Sequence, residues 1–217
     1  MAERVYAIYR IPIKEVSGNA YLVVRGKEAA VVDTGLPGYS DQILKSADSL
    51  DAKVSHIILT HYHIDHTGSL KDLKEKTGAK VFIHEKDAPY LSGKEKFPLP
   101  STVPQEVIKL YSTYRHVEPD AILKDDDRVF GFRVIHVPGH TPGSIVLYDG
   151  RALFAGDNMN SREGKIEGSP AMFDWDRELA KKSVKKLLDL DFEMLMPGHG
   201  EPVLEKASEL ARNSIRL

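Results

Sequence analysis

Four side chains that can bind transition metals stand within six consecutive residues of the sequence. They are His61, His63, Asp65 and His66, in the segment 60–68. Imidazole and carboxylate groups are ligands that zinc, manganese and iron accept, and so dense a group of them has few other uses. The segment therefore predicts a metal site.

Three further candidate ligands occur later in the chain, each just after an apolar run and beside a glycine. They are His140, Asp157 and His199. A single histidine or aspartate is more often a structural hydrogen-bonding residue than a ligand. Because functional groups in layered α/β proteins gather beyond the carboxyl ends of strands, we expect these three residues to meet the first four. Seven ligands exceed the needs of one tetrahedral ion and suit two ions that share a bridging carboxylate.

The elements that must position these residues follow from the spacing of apolar residues. The run 54–59 predicts the strand before His61, and a helix follows through about Thr77, with Asp65 and His66 in the turn at its N-terminus. Further strands are predicted over 5–11, 20–24, 29–32, 80–83, 129–137, 145–148, 152–154 and 192–196. Further helices are predicted over 40–50, 107–114 and 207–215, and another carries Leu179, Val184, Leu187 and Leu188 on its apolar face.

Composition narrows the class of protein. With 217 residues, we expect one domain over 1–217. The 30 basic residues nearly balance the 32 acidic ones, so we expect no nucleic-acid partner. No apolar run approaches the length of a membrane span, and the N-terminal residues lack the apolar region of a signal peptide, so we expect a cytoplasmic protein with no membrane partner. Cysteine is absent, so histidine and carboxylate must hold any metal, which favours an open hydrolytic site.

The chain resembles the metallo-β-lactamase-fold hydrolases, near their glyoxalase II-like and lactonase-like branches. The matching segments are Val31-Val32-Asp33-Thr34-Gly35, the H-x-H-x-D-H pattern from His61 to His66, Pro138-Gly139-His140-Thr141, Ala155-Gly156-Asp157 and Pro197-Gly198-His199-Gly200. They occur in the family's order across residues 33–199. These motifs are highly specific for the fold. They are poorly specific for substrate, because the superfamily includes thioesterases, lactonases, β-lactamases, nucleases and sulfur dioxygenases.

The resemblance implies an α/β fold, a four-layer αβ/βα sandwich in which two mixed β-sheets pack face to face with helices outside. It also implies two metal sites. His61, His63 and His140 would hold one ion, Asp65, His66 and His199 would hold the other, and Asp157 would bridge them. We expect two divalent ions, zinc first, with manganese or iron as alternatives.

Two such ions, about 3.5 to 4 Å apart, would lower the pKa of a bridging water and polarise a substrate carbonyl oxygen. The sequence therefore predicts metal-dependent hydrolysis of a small-molecule ester, thioester or lactone by a bridging metal hydroxide. The catalytic candidates are Asp65 and Asp33. Asp65 is expected to orient the hydroxide and pass a proton to the leaving group. Asp33 is expected either to support the ligands from behind or to be a turn residue before Gly35.

Other functions stay open at this stage. A sulfur dioxygenase-like oxidoreductase would hold a single iron with His61, His140 and Asp157. A phosphodiesterase or nuclease is disfavoured because no basic insertion is present, and a metal-binding module without catalysis is disfavoured because the ligand set is intact. The family resemblance implies that glyoxalase II enzymes carry a C-terminal helical domain, which helps to bind glutathione. Only about twenty residues follow His199 here, fewer than such a domain needs, so the expectation of a glutathione thioester as substrate loses its main support. The oligomeric state is not predicted.

Two irregular segments, 89–119 and 158–174, are expected to select the substrate. Aromatic residues there that can line a pocket mouth are Tyr90, Phe97, Tyr111, Tyr114, Phe173 and Trp175. Four polar residues of the second segment are expected either to contact an anionic substrate group or to lie on the solvated surface, namely Ser161, Arg162, Glu163 and Lys165.

For the remaining histidines, His56, His84, His116 and His136, we expect structural roles first. Support of the metal ligands is the alternative for His84.

Overall fold

The structure, a computed structural model, describes residues 6–12 and 17–216 of the chain. Two mixed β-sheets pack face to face, and helices cover the outer face of each sheet. The four-layer sandwich predicted from the sequence is therefore confirmed. None of the helices in the described ranges has both the length and the apolar character needed to cross a membrane.

The first sheet contains six strands in their chain order. They are β1 Ala7–Arg10, β2 Tyr21–Arg25, β3 Glu28–Val32, β4 Lys53–Ile58, β5 Lys80–His84 and β6 Ala121–Leu123. Strands β1, β2 and β3 are antiparallel neighbours, whereas β3 to β6 run parallel. Parallel strands need crossover connections, and helices supply them. The helices are α1 Ser40–Asp48, α2 Ile64–Thr67, α3 Leu70–Thr77, α4 Ala88–Ser92 and α5 Gln105–Tyr111.

The second half of the chain forms the second sheet and a small hairpin. Its strands are β7 Arg128–Val129, β8 Phe132–His136, β9 Ile145–Tyr148, β10 Ala152–Gly156, β11 Asn160–Arg162, β12 Lys165–Glu167 and β13 Met194–Pro197. The second sheet has the order β13-β10-β9-β8-β7, and β11 pairs only with β12. A 3₁₀ turn at Ala171–Phe173 and the helices α6 Arg177–Leu188 and α7 Ala207–Ser214 complete this half.

Three apolar clusters fill the three interfaces between the four layers. Alternation along β4 illustrates the packing, because successive side chains of a strand point to opposite faces of its sheet. Ile57 packs with residues of α1 and α3, whereas Ile58 packs between the sheets against residues such as Phe154. On the far side of the second sheet, Leu153 packs with Val184 of α6. Each sheet is thus apolar on both faces.

Four strand ends that precede candidate ligands lie at one edge of the sandwich. Strand β10 is parallel to β13, and β9 is antiparallel to both β8 and β10, so β8, β10 and β13 share a direction. The two sheets are joined at this edge by a hydrogen bond of 3.0 Å from the Ile145 amide to the Thr60 carbonyl. The carboxyl ends of β4, β8, β10 and β13 therefore deliver their loops to a common place.

The structure corrects several predicted elements. The single strand predicted over 129–137 is wrong, because Phe130 and Gly131 have φ values of 46° and 84° and turn the chain into a hairpin of β7 and β8. The irregular segment 158–174 contains the β11–β12 hairpin, and β6 lies where no strand was predicted. The helix predicted over 107–114 spans 105–111, and α4 was not predicted. Val5, at the start of the first predicted strand, lies outside the described residues.

The helix predicted to run through Thr77 is in fact two helices, α2 and α3. Gly68 and Ser69 separate them, and the Gly68 amide donates 2.8 Å to the Gly35 carbonyl of the neighbouring loop. Asp65 and His66 consequently lie inside the one-turn helix α2, rather than in a turn that precedes a longer helix.

The packing between the sheets predicts a large difference between two isoleucines. Ile58 is fully buried between the sheets, so Ile58→Ala is expected to lower the free energy of unfolding by about 2–5 kcal/mol through the cavity it leaves. Ile122 is 46% exposed, and Ile122→Ala should change it by less than about 0.5 kcal/mol. Urea denaturation followed by circular dichroism measures both. Equal losses would contradict the assignment of Ile58 to the inter-sheet core.

Candidate metal centre

The seven candidate ligands lie together at the edge where the four strands end. They form three overlapping groups in which the potential ligand atoms lie within 4.8 Å of one another. The groups are His61, His63 and His140; His61, His66 and Asp157; and Asp65, His66 and His199. Asp65 and His199 are partly exposed, and the other five are buried. We call these seven residues the metal cluster.

Asp157, which follows β10, is central to the metal cluster. Its Oδ1 lies 3.1 Å from His66 Nε2 and 3.3 Å from His199 Nε2. Its Oδ2 instead lies 3.4 Å from His140 Nε2. The two oxygens of one carboxylate thus face different sets of histidines, an arrangement that suits a ligand bridging two ions.

Several buried atoms of the metal cluster have no hydrogen-bond partner within the described chain. They are Nε2 of His61, His66 and His140, and Oδ1 of Asp157. Leaving a buried polar atom unpaired costs about 1–3 kcal/mol, so four in one place are unfavourable for a site that binds nothing. Divalent cations accept neutral imidazole nitrogen and carboxylate oxygen as ligands. The residues present therefore fit a divalent metal.

Hydrogen bonds behind the imidazole rings fix their orientation. Each of three Nδ1 atoms has an oxygen partner on a different residue, which leaves the Nε2 atom of the same ring facing the metal cluster. The pairs are His61 with Thr60 Oγ1 at 3.0 Å, His66 with Asp33 Oδ2 at 2.9 Å, and His140 with Asp174 Oδ1 at 3.2 Å.

Asp33 follows β3 and is buried beneath the metal cluster. Besides contacting His66, it accepts hydrogen bonds from the Thr60 amide at 2.8 Å and from Thr60 Oγ1 at 2.7 Å. Its φ of 57° is in the left-handed region, which is unfavourable for a residue with a side chain and persists where the surroundings enforce it. These contacts are those of a residue that positions a ligand, and Asp33 does not line the cleft described below.

Asp174 was not singled out from the sequence, although it ends an irregular segment that was. Its side chain is buried, contacts His140 as described, and accepts hydrogen bonds from Ser169 and from Arg177 Nη1. Burial acts to raise the pKa of Asp174, but its hydrogen bonds with His140, Ser169 and Arg177 outweigh burial and lower the pKa. No motif marks this residue, because the ligand candidate that it contacts, His140, lies 34 positions away in the sequence.

Asp87 is the second residue that the sequence did not reveal. It is fully buried and accepts hydrogen bonds from the Tyr62 amide at 3.1 Å, Thr141 Oγ1 at 2.7 Å and the Gly143 amide at 2.6 Å. Burial raises the pKa of Asp87 to about 7, although these three donors act in the opposite direction. Since Tyr62 stands between two ligands and Thr141 follows His140, Asp87 ties together the loops of both sheets.

The histidines of the metal cluster differ in the direction in which their surroundings shift the pKa. Burial and neighbouring imidazoles lower the pKa of His61 and that of His63, the latter to about 3, so both rings are neutral and suited to metal binding. Burial acts to raise the pKa of Asp65, but His66 and His199 outweigh it and lower the pKa to about 2. Burial acts to lower the pKa of His199, but the neighbouring carboxylates of Asp157 and Asp65 outweigh burial and raise the pKa to about 10.

The four remaining histidines lie outside the three groups of the metal cluster. His84 stacks on His136 with ring centroids 4.0 Å apart, and His56 stacks on Phe82 at 5.2 Å. His116 is exposed and its ring stacks on Phe97. These contacts agree with structural roles for all four. In the described part of the chain, His84 makes no ring contact or hydrogen bond with a candidate ligand.

A cleft of about 530 Å³ opens onto the metal cluster. His63, Asp65, Asp157 and His199 contribute to its lining. A cavity of this size is typical of small-molecule sites. The cluster is therefore accessible to a substrate through this cleft.

The cleft corrects the expectation about aromatic residues. Tyr111 and Phe173 line the cleft. Trp175 is 45% exposed and does not line the cleft. The other three pack against the core beneath the first sheet, namely Tyr90, Phe97 and Tyr114. Among the polar residues expected near a substrate, Ser161 and Arg162 line the cleft, whereas Glu163 and Lys165 do not.

Comparison with known proteins agrees with the fold and the cluster. The family model described as the metallo-beta-lactamase superfamily matches residues 13–199. A probable metallo-hydrolase of Bacillus subtilis (strain 168), YflN, is 32% identical over 92% of this chain and 87% of its own length. The hydroxyacylglutathione hydrolase GloC of Haemophilus influenzae is 29% identical over 88% of this chain and 89% of its own length. Among solved structures, TTHA1623 in a di-iron-bound form is 28% identical, with a TM-score of 0.70 over 90% of this chain and 94% of that protein.

Two glycines allow a test of how closely the backbone fits around Asp157. A Cβ atom on Gly198 would lie 2.1 Å from Asp157 Oδ1, whereas a Cβ atom on Gly168 would meet only Val184, at 3.8 Å. Gly198→Ala is expected to displace Asp157 and weaken metal binding by about 10–100-fold, although it removes no ligand. Gly168→Ala should leave the affinity unchanged. Competition with a chromophoric chelator measures both, and wild-type affinity in Gly198→Ala would refute the assigned fit.

The buried hydrogen bonds of Asp87 lead to a prediction about stability. Asp87→Ala leaves two amides and the Thr141 hydroxyl without their acceptor, so we expect the free energy of unfolding to fall by about 3 kcal/mol or more. Asp191, whose side chain is 91% exposed, pairs with Arg212 on the surface, and Asp191→Ala should cost less than about 1 kcal/mol. Chemical denaturation compares the two variants. A similar small loss in both would show that Asp87 does not hold the loops together.

Proposed function

Because the chain belongs to the metallo-beta-lactamase superfamily, we propose that it is a metal-dependent hydrolase that cleaves a small-molecule ester, thioester or lactone. The observation that carries the proposal is the division of the two Asp157 oxygens between different histidines. A carboxylate in this position suits two ions, and two ions suit hydrolysis. An intact cluster at the base of an open cleft supports the same function.

Each candidate ligand has a place in this proposal. His61, His63 and His140 would hold one divalent ion, Asp65, His66 and His199 would hold the other, and Asp157 would contact both. Bound there, the ions would supply an activated water and polarise the carbonyl oxygen of the substrate. Zinc is the first candidate, and manganese and iron are alternatives, because the same ligands accept all three metals.

The chain's own residues orient the reacting groups. Asp65 lines the cleft, and its Oδ2 lies 3.2 Å from His199 Nε2. Its lowered pKa keeps the carboxylate ionised, so it can accept a hydrogen bond from a water molecule in the cleft. From this position Asp65 would orient the water and transfer its proton toward the leaving group. Asp33 would not contact the substrate, because it does not line the cleft. Its role would be to orient the His66 ring through the hydrogen bond to Nδ1.

The similarity to GloC bears on the choice among substrates. The alignment covers 88% of this chain and 89% of GloC, so a protein of similar length carries the name hydroxyacylglutathione hydrolase. A match that covers most of both chains is therefore compatible with thioester hydrolysis by this chain. Thioesters accordingly stand beside esters and lactones in the proposal, and each is a small-molecule substrate.

Removal of a candidate ligand tests the proposal. His61→Ala and Asp157→Ala proteins are expected to stay folded yet lose about a hundredfold or more in kcat/KM on activated esters and thioesters, because even residues that only orient a metal ligand contribute 10–100-fold. His116→Ala is the matched control, since His116 is exposed and outside the cluster. Circular dichroism verifies folding. Full activity in the folded His61→Ala and Asp157→Ala proteins would refute the proposal.

A metal count distinguishes the proposal from its main alternative. Plasma mass spectrometry of protein purified without added metal is expected to give two divalent ions per chain, and His61→Ala should reduce that number. One iron per chain, together with oxygen consumption on a persulfide substrate and no ester hydrolysis, would instead establish a sulfur dioxygenase-like enzyme. Cleavage of phosphodiesters but not of esters would establish the nuclease alternative.

A further inference from the structure

Helix α5 has an unusual relation to the rest of the protein. No residue between Gln105 and Tyr111 is buried, although the helix contains several apolar side chains. An amphipathic helix of a globular protein normally packs its apolar face on the core. Here Val107, Leu110 and Tyr111 line the cleft instead, and Leu110 is 43% exposed. The apolar face of α5 is therefore directed at the space that a substrate would enter.

The 3₁₀ turn contributes apolar residues to the cleft as well. Phe173 and Pro170, in and before the 3₁₀ turn, line it. A hydrogen bond of 2.7 Å from Thr102 Oγ1 to the Met172 carbonyl joins the segment before α5 to this turn. The segment before α5 and this turn are thus in contact, and residues of α5, of the turn and of the metal cluster line the same cleft.

Charged groups are scarce in the cleft away from the metal cluster. Among its lining residues in the described part of the chain, Arg162 is the single cation and Glu167 the single further anion. Glutathione carries two carboxylates and an ammonium group, so its charges would find few partners there. An uncharged apolar chain, in contrast, would cover side chains of α5 that are now in contact with water, which is favourable.

We propose that the substrates are esters or thioesters that carry an uncharged apolar chain, with this chain lying between α5 and the 3₁₀ turn. Val107 and Leu110 are then the residues that determine specificity. This inference rests on the proposed hydrolase function, because the reacting carbonyl is placed at the metal cluster by that function. Binding of the apolar chain itself requires only the cleft.

A series of p-nitrophenyl esters tests the inference on the metal-loaded enzyme. We expect kcat/KM to rise about threefold to fourfold for each added methylene between acetate and octanoate, since burial of a methylene contributes about 0.8 kcal/mol. In the variant with both Val107→Gln and Leu110→Gln, the ratio of kcat/KM on the octanoate ester to that on the acetate ester should fall tenfold or more. Glutamine is compatible with a helix, so α5 is expected to persist.

Ile108→Gln provides the matched control, because Ile108 belongs to the same helix, is similarly half-buried and does not line the cleft. It should leave the preference for octanoate unchanged. Equal kcat/KM values along the ester series would overturn the inference while the proposed hydrolase function stands. So would a higher kcat/KM on S-lactoylglutathione than on the octanoyl thioester of a small neutral thiol.

A binding measurement separates failure of the inference from failure of the proposed function. Titration calorimetry with octanoate and acetate is expected to show tighter binding of octanoate to wild-type protein, and at least tenfold weaker binding of octanoate to the Val107→Gln/Leu110→Gln variant. If no ester or thioester is hydrolysed, the proposed function fails, and this calorimetric difference still decides the inference. Equal octanoate affinity in the wild type and the variant would overturn it.

Discussion

The rest of this structure depends on the contacts of the Asp157 carboxylate with histidine rings on two sides. Asp157 can face His66 and His199 with one oxygen and His140 with the other only if strand ends from both sheets meet at one edge. A sandwich of two sheets with parallel strands in each provides that meeting place. The fold is therefore the means of bringing residues from distant parts of the chain within ligand distance.

Such a cluster is unfavourable by itself, and the surrounding hydrogen bonds explain how it is maintained. Unpaired buried nitrogen and oxygen atoms favour rearrangement or entry of water. Asp33 and Asp174 each fix one imidazole from behind, and Asp87 ties the loop around Tyr62 to the loop after His140. These three carboxylates come from three different connections, so the geometry of the cluster is determined by the whole edge. A cation would then complete a site that is already arranged.

The sequence was informative where chemistry and local pattern coincide. The motif from His61 to His66 lies within one turn and loop, and its residue types alone point to a metal. Most strands and helices followed from apolar periodicity, whereas the four layers were implied by the resemblance to the metallo-β-lactamase fold. Asp87 and Asp174 could not be predicted, because an aspartate becomes a supporting residue only through partners that are distant in sequence. The hairpin at Phe130 was missed for a related reason, since its left-handed backbone is not implied by an aromatic side chain.

The metal cluster and helix α5 both line the cleft, but they differ in how they are attached to the core. The metal cluster stands on strand ends whose neighbours are buried on both faces, so the packing of the core fixes its position. Helix α5 contributes no buried residue, and its residues Val107, Leu110 and Tyr111 line the cleft. Substitutions on α5 can consequently alter what the cleft accepts at little cost in stability. Under the proposed function, one arrangement of ligands would thus serve different substrates, because residues such as Leu110 could change while the candidate ligands stay the same.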